Sequence, residues 1–336
     1  MLNHDVTGVR PIDIHAHFFP QAYLDVLAED GPRFNVEYRA AEEGFYIKTD
    51  ARFQGPLPYR IVDLQKRIAD MNAQGTAVQA MSLTGSMAHW GDEEVSHKLS
   101  RAWNDAASAA HQQYPKRLFG PLTLPLLFPD RAIDELNRAS KLPGLKGVYM
   151  GTNINHRDLD DPLFEPIFAR IEALELPVFL HPLQVVGGQR TAPFSLSNLL
   201  SFPFDTGIAA CHLIFGGVLD RHPKLQFTLP HGGGVLLMLI GRIDHGAKVR
   251  PEIEKLRLPQ PPSQYLQRFT YDTIVHSKSV MEFVISEVGA ERIMIGSDYC
   301  LDMGYEKPVH FLDQVNLSSA QRKMISGDNA ARILKL

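Results

Sequence analysis

Eight short, strongly apolar segments recur along the chain, with helix-like segments between them. They span residues 9–17, 76–83, 118–126, 145–152, 177–183, 225–232, 269–275 and 292–299. Near-continuous apolar strands that alternate with amphipathic helices predict a parallel sheet covered by helices. Eight such units favour a closed (β/α)8 TIM barrel of the α/β class over a doubly wound open sheet, which is the main alternative.

The 336-residue chain shows no convincing domain boundary, which predicts a single barrel domain over residues 1–336. Its first connection, at about residues 20–58, is unusually long and contains aromatic residues, glycines and a possible short hairpin. This connection follows the first strand on the side where barrel active sites lie. We therefore expect it to form a small lid insertion.

Charge and composition narrow the classes of partner. The net charge is −4 and no basic stripe occurs, which argues against nucleic acid. The most apolar long stretch, residues 199–219, is interrupted by Pro203, Asp205 and His212, so we expect buried helix and loop and no membrane contact. The N-terminus lacks a secretory h-region, and the two cysteines have no framework spacing, which together predict a cytoplasmic protein.

Histidines and one aspartate stand where predicted strands end. His15 and His17 end the first strand, His181 the fifth, His231 the sixth and Asp298 the eighth. The carboxyl ends of barrel strands converge on one mouth, so these side chains should meet there. Imidazoles and a carboxylate around one point suit a divalent ion, most readily Zn²⁺, with Mn²⁺ or Fe²⁺ also open.

These motifs resemble a known family. IDIHAHFFP at residues 12–20, FLHP, HGGG and GSDY are similar to the amidohydrolase superfamily, and within it to the aminocarboxymuconate-semialdehyde decarboxylase branch, which includes γ-resorcylate and 5-carboxyvanillate decarboxylases. The resemblance extends nearly end to end, through RIADMNAQG, LDDPLFE, GGQR and ISGDNAARIL. The resemblance implies a metal-dependent enzyme on a barrel, which is the fold that the strand pattern predicts.

The resemblance implies roles for individual residues. A single metal would be held by His15, His17, His181 and Asp298. His231 would act beside it as the catalytic acid/base. Arg242, eleven residues beyond His231, matches an arginine that reaches into the neighbouring subunit's site and holds a substrate carboxylate. The active unit would then be a homodimer.

Other residues are candidates for substrate contact. Phe194 stands where the decarboxylase has a tryptophan. A second carboxylate-binding arginine should lie in the lid, where Arg52 is favoured and Arg60 is the alternative. His276 follows the seventh strand, and Asp272 lies within it, so either can reach substrate.

The fourth predicted strand bears on the number of metal ions. Members of the superfamily with two metals carry a carboxylated lysine or a glutamate late in this strand. Here Lys146 lies near its beginning, and at about 3.3 Å per residue it is too far from the mouth to be a ligand. The sequence therefore favours one metal.

The favoured function is a metal-dependent, cofactor-independent decarboxylase of an aromatic or ring-cleavage carboxylic acid. The alternative is a hydrolase of a C–C, lactone or amide bond on the same metal, because the ligand set does not distinguish the two. A barrel that keeps its metal without catalysis is less favoured, since structural zinc sites are typically rich in cysteine. No GxGxxG follows a strand, so no dinucleotide site is expected.

Overall fold

A computed structural model of the chain describes residues 10–49, 53–85 and 87–336. Its strands are β1 (Ile12–His17), β2 (Glu37–Ala41), β3 (Gly44–Lys48), β4 (Phe53–Leu57), β5 (Val78–Ser82), β6 (Leu118–Leu122), β7 (Leu145–Gly151), β8 (Asn153–Ile154), β9 (Arg157–Asp158), β10 (Val178–His181), β11 (Phe227–Leu229), β12 (Phe269–Asp272) and β13 (Ile293–Met294). Its helices are α1 (Gln21–Asp30), α2 (Leu64–Gln74), α3 (Glu93–Gln113), α4 (Pro129–Ala139), α5 (Glu165–Ala173), α6 (Phe202–Phe215), α7 (Val218–Arg221), α8 (Leu236–Val249), α9 (Pro251–Glu254), α10 (Lys278–Val288), α11 (Pro308–Phe311), α12 (Ser319–Lys323) and α13 (Asn329–Leu334).

Within the described residues, eight parallel strands form a barrel in the order β1, β5, β6, β7, β10, β11, β12 and β13. Parallel bridges from Asp13 to Ile295 and from Ala16 to Tyr299 bring the last segment back to the first strand. Helices surround the sheet, and the predicted (β/α)8 barrel is confirmed. Each of the eight predicted apolar segments contains one of these strands.

The barrel strands are buried on both faces, as expected for parallel strands between a filled interior and a layer of helices. Side-chain caps define several of the helices. Asp63 accepts a hydrogen bond from the Lys66 amide at the start of α2, and Asp92 does the same for Val95 at the start of α3. Among the described residues, no helix has both the length and the apolar composition that a bilayer crossing requires.

A small antiparallel sheet of β2, β3 and β4 follows the first barrel strand and lies within the predicted insertion. Phe45 of this sheet packs 5.8 Å from the Phe19 ring, just after β1. Gln54 packs so closely on Gly85, which follows β5, that a Cβ there would lie 1.9 Å from the Gln54 side chain. The small sheet therefore rests on loops at the carboxyl end of the barrel.

A buried polar network ties the first strand to its two neighbours. The Asp13 carboxylate accepts hydrogen bonds from Gln79 Nε2 at 2.9 Å, from Ser297 Oγ at 2.5 Å and from the Ser297 amide at 3.0 Å. Gln79 Oε1 in turn accepts from Arg67 at 2.6 Å. Since β1, β5 and the segment after β13 all contribute, this network holds the barrel closed beneath its mouth.

We expect Asp13→Ala to lower the free energy of unfolding by about 3 kcal/mol, because it leaves several buried donors without an acceptor. Urea unfolding followed by circular dichroism measures the loss. Asp63→Ala serves as the control, since it removes only an exposed helix cap and should lower stability by about 1 kcal/mol. Equal losses in the two variants would contradict a special contribution of the Asp13 network.

Candidate metal centre and active site

Two histidines of β1 face the barrel interior. Side chains alternate along a strand, so His15 and His17 lie on one face together with Asp13. All three are almost completely buried. Burial of imidazoles is unfavourable unless they have polar partners or bind an ion.

Four buried side chains meet at the mouth of the barrel, namely His15, His17, His181 and Asp298. One ligand atom from each lies within 4.8 Å of the others. The three imidazole rings have centroids 5.0–5.3 Å apart. Asp298 Oδ1 lies 2.8 Å from His17 Nε2 and 3.7 Å from His15 Nε2. The structure thus contains a His/His/His/Asp metal-binding group.

Several atoms of this group that could bind a metal make no hydrogen bond. In the described part of the chain, Nε2 of His15, Nε2 of His17 and Oδ1 of Asp298 are buried without a hydrogen-bond partner. The short His17–Asp298 contact does not have the geometry of a hydrogen bond. A divalent cation would satisfy these atoms together, and such nitrogen and oxygen donors suit Zn²⁺, Mn²⁺ or Fe²⁺. The residues present therefore fit a metal ion.

The other ring nitrogen of each clustered histidine has a partner of its own. Nδ1 of His15 lies 2.8 Å from Asp272 Oδ2, and Nδ1 of His17 lies 3.4 Å from Ser82 Oγ. Nδ1 of His181 lies 2.9 Å from the backbone oxygen of Pro182. Contacts at Nδ1 fix the orientation of a ring and leave Nε2 for a metal, which is the usual arrangement of metal-binding histidines.

Burial and charge set the protonation of the group. Burial lowers the pKa of His17 to about 4. Burial alone would raise the pKa of Asp298, but contact with His17 and the nearby imidazoles lowers it to about 2. Burial is the largest influence on the pKa of His15 and acts to lower it, but the hydrogen bond to Asp272 and the negative charges of Asp272, Asp298 and Asp13 together leave that pKa raised. At neutral pH, His17 and Asp298 are therefore already in the forms that bind metal.

His231 lies beside the metal-binding group without belonging to it. Its ring centroid is 5.5 Å from that of His15 and 6.0 Å from that of His181. Its Nδ1 is buried without a hydrogen-bond partner among the described residues, and burial lowers the pKa of the ring. A neutral imidazole with a free nitrogen next to a metal site can take up and deliver a proton.

A glycine-rich turn places His231 in this position. His231 itself has a φ of +54°, and the three glycines that follow also have positive φ. A Cβ at Gly234 would lie 2.1 Å from the backbone oxygen of Pro203 in α6, so only glycine allows this approach. The HGGG sequence therefore turns the chain sharply from β11 towards α8.

The predicted substrate-contact residues are distributed over several surfaces. Arg242 is exposed on α8 and lines a cavity of about 720 Å³ between α6 and α8. Phe194 is 88% exposed in the segment after β10. His276 is exposed, and its ring packs at a tilt against that of Tyr305, with centroids 4.6 Å apart. Arg52 lies outside the described residues, and Arg60 is exposed beside a second cavity of about 190 Å³. Their roles stay predictions.

Two features inside the barrel were not assigned to the site from the sequence. Asp272 is fully buried and contacts His15, whereas the sequence indicated only that it could reach substrate. The Tyr149 ring, late in β7, is buried with its centroid 6.0 Å from that of His181, while Lys146 lies at the start of the same strand. Thr270 and Asp272 are two residues apart on β12 and therefore lie on the same face of the strand. This spacing was the signal that could have predicted that Asp272 points into the barrel.

Comparisons with known proteins agree with this geometry. Residues 12–336 match the protein family described as amidohydrolase. The chain is 30% identical to a 2-amino-3-carboxymuconate-6-semialdehyde decarboxylase of Dictyostelium discoideum, over 97% of this chain and 91% of that protein.

Solved structures share the fold. The structure of Metarhizium anisopliae IDCase has a TM-score of 0.86 at 23% identity and covers 97% of each chain. The 5-carboxyvanillate decarboxylase of Novosphingobium aromaticivorans, solved with manganese and 4-hydroxy-3-methoxy-5-nitrobenzoic acid, has a TM-score of 0.82 at 23% identity and covers 98% of this chain and 97% of that one.

We expect divalent metal affinity to fall as the pH decreases through the range in which His15 titrates, because a metal must displace the proton that the raised pKa keeps on His15. His17 and Asp298 should release few protons over this range. Titration calorimetry with Zn²⁺ and Mn²⁺ in buffers of different ionisation enthalpy measures affinity and proton release together. His17→Ala is the control and should abolish tight binding. Affinity independent of pH would contradict the assignment.

Proposed function

This chain belongs to the amidohydrolase family, and from that membership we propose that it is a metal-dependent, cofactor-independent decarboxylase of an aromatic or ring-cleavage carboxylic acid. One observation carries the proposal: three imidazoles and a carboxylate present unused ligand atoms at the barrel mouth, with His231 beside them. The decarboxylases that this chain resembles in sequence and in fold support the type of reaction.

We assign His15, His17, His181 and Asp298 as the ligands of one divalent metal ion. Zn²⁺ is the ion we favour for this donor set, and the manganese in the related 5-carboxyvanillate decarboxylase makes Mn²⁺ the first alternative. When bound, the ion supplies Lewis acidity towards a substrate oxygen. The Asp272 carboxylate at Nδ1 keeps the His15 ring oriented with Nε2 towards the site.

His231 is the residue that we assign to proton transfer. Decarboxylation places a proton on the carbon that bears the carboxylate, after which the C–C bond breaks, its electron pair returns to the conjugated system, and CO₂ leaves. His231 takes up a proton at its free nitrogen and then delivers it to this carbon, and the lowered pKa of the imidazolium so formed favours release. The proton comes from solvent, and its delivery restores the ring.

Arginines are the groups that we assign to the substrate's carboxylates, because a guanidinium can form two parallel hydrogen bonds with a carboxylate. Arg52 is the choice within the subunit, with Phe194 and His276 lining the approach. The insertion at about residues 20–58 would act as a lid on a single domain spanning residues 1–336.

A homodimer is the assembly that we propose. Arg242 is exposed on α8, where Met238 is 74% and Leu239 38% exposed, and Phe204 of the adjacent α6 is 40% exposed. Apolar side chains grouped around a cation suit a contact with a second copy, from which Arg242 would reach the neighbouring site. Both cysteines are free, which is consistent with a reducing compartment such as the cytoplasm.

We expect His231→Ala to retain its metal but to release CO₂ at least about 100-fold more slowly than the wild type, because the proton donor is lost. Metal content by mass spectrometry and CO₂ release from hydroxybenzoates and carboxylated catechol-cleavage products measure the two properties. His310→Ala, at an exposed position on α11, is the control and should match the wild type. Formation of a second acid or amine in place of CO₂ would identify a hydrolase, and full activity of His231→Ala would exclude its role.

Mixed dimers test whether Arg242 acts across the interface. Arg242→Ala and His231→Ala should each be nearly inactive alone. After subunit exchange in equal amounts, half of the dimers are mixed, and each mixed dimer has one site with both residues intact. Activity should then return to about a quarter of the wild-type value. No recovery would mean that Arg242 serves its own subunit or has no role in the site.

A further inference from the structure

Asp272 connects two parts of the site through a single carboxylate. It ends β12 and is fully buried. Its Oδ2 lies 2.8 Å from Nδ1 of His15. Its Oδ1 accepts hydrogen bonds from the backbone amides of Gly232, at 3.0 Å, and Ile274, at 3.1 Å. One oxygen therefore faces a metal-binding histidine, and the other faces the turn that carries His231.

The group that contacts Nδ1 of His15 differs in charge from the groups that contact Nδ1 of His17 and His181. His17 contacts a hydroxyl at 3.4 Å, and His181 a backbone carbonyl at 2.9 Å. Of these three Nδ1 contacts, the one from Asp272 alone involves a side chain that carries a negative charge. A carboxylate that accepts from Nδ1–H fixes the tautomer with its lone pair on Nε2 and makes that nitrogen a stronger ligand.

The second contact of Asp272 acts on the neighbour of the proton-transfer residue. Gly232 directly follows His231, and both have positive φ within a short turn, in which the amides of Gly233 and Gly234 donate to the backbone oxygens of Pro230 and His231. The amide of Gly232 is anchored by Asp272 Oδ1. The same side chain thus sets the position of the His231 ring, whose centroid is 5.5 Å from that of His15.

We propose that Asp272 is a positioning residue that holds His15 and His231 at a fixed distance, so that metal binding and proton transfer depend on one carboxylate. The inference rests on the proposed function for the role of His231, whereas its claim about His15 concerns metal binding alone. A carboxylate has two acceptor oxygens, one for the His15 ring and one for the backbone amides of Gly232 and Ile274. Asparagine has one, so its amide nitrogen would face either the His15 ring or the two backbone amides.

Asp272→Asn tests the proposal. With Asn, we expect the dissociation constant for Zn²⁺, measured by competition with a chromophoric chelator, to rise by about 10- to 100-fold. The visible spectrum of the Co²⁺-loaded protein should change, since the geometry of His15 changes. At saturating metal, kcat should still fall by about tenfold or more with little change in KM, because His231 is displaced. The ring proton resonances of His231, assigned by their absence in His231→Ala, should shift in the Zn²⁺-loaded Asn variant.

Three further variants make the test specific. Ser82→Ala removes the hydroxyl beside His17 and should weaken Zn²⁺ binding less than Asp272→Asn does, without shifting the His231 resonances. Glu135→Gln changes an equally buried carboxylate between α3 and α4 and should leave metal affinity and kcat unchanged. Asp272→Glu keeps both oxygens and should recover part of the metal affinity, which keeps the proposal testable if the Asn variant does not fold.

Zn²⁺ affinity within twofold of the wild type in Asp272→Asn would overturn the role towards His15. Weaker metal binding with unchanged His231 resonances and unchanged kcat at saturation would overturn the link to His231. If the wild-type protein releases no CO₂ from any acid, the proposed function fails, but the metal affinity, the Co²⁺ spectrum and the His231 resonances still decide the role of Asp272.

Discussion

Backbone hydrogen bonds between β1 and the segment after β13 close the barrel, and the metal-binding group depends on this closure. The His17 amide donates to the Tyr299 oxygen at 2.6 Å, and the Asp298 amide donates to the His15 oxygen at 2.8 Å. These bonds join residues separated by more of the chain than any other pair of neighbouring barrel strands. The carboxylate therefore reaches the histidines only when the barrel is closed, so a metal bound there would stabilise the closed barrel by mass action.

Buried polar side chains beneath the mouth take part in closing the barrel. Asp13 joins three segments, and Arg67, although fully buried, bonds to Gln79 and to the backbone oxygen of His17. The Arg67 guanidinium also lies 4.6 Å from the centroid of the Tyr299 ring. Burying such groups is unfavourable unless their hydrogen bonds are made. Their arrangement therefore ties the position of His17 to the register of the seam.

The sequence indicated the eight barrel strands because parallel strands are apolar on both faces, but it extended some of them too far. The segments at 225–232 and 292–299 continue past the ends of β11 and β13, and the chain leaves the strand conformation there, where His231 and Asp298 have positive φ. The sequence could predict that these segments are largely buried, but it could not predict that the chain turns at their ends. The ligand cluster followed from strand ends alone, whereas the bond from Asp272 to His15 depends on a side-chain orientation that spacing does not determine.

Four histidines share the mouth, and the surroundings of Nδ1 distinguish them. A carboxylate faces this nitrogen in His15, a hydroxyl in His17 and a backbone oxygen in His181, while in His231 it is buried without a hydrogen-bond partner among the described residues. A ring anchored at Nδ1 presents Nε2 in a fixed direction and suits a metal ligand. A ring without such an anchor can exchange a proton. Under the proposed assignments, one residue type would supply both the ligands and the acid/base group, because the strand ends differ in whether an acceptor lies beside Nδ1.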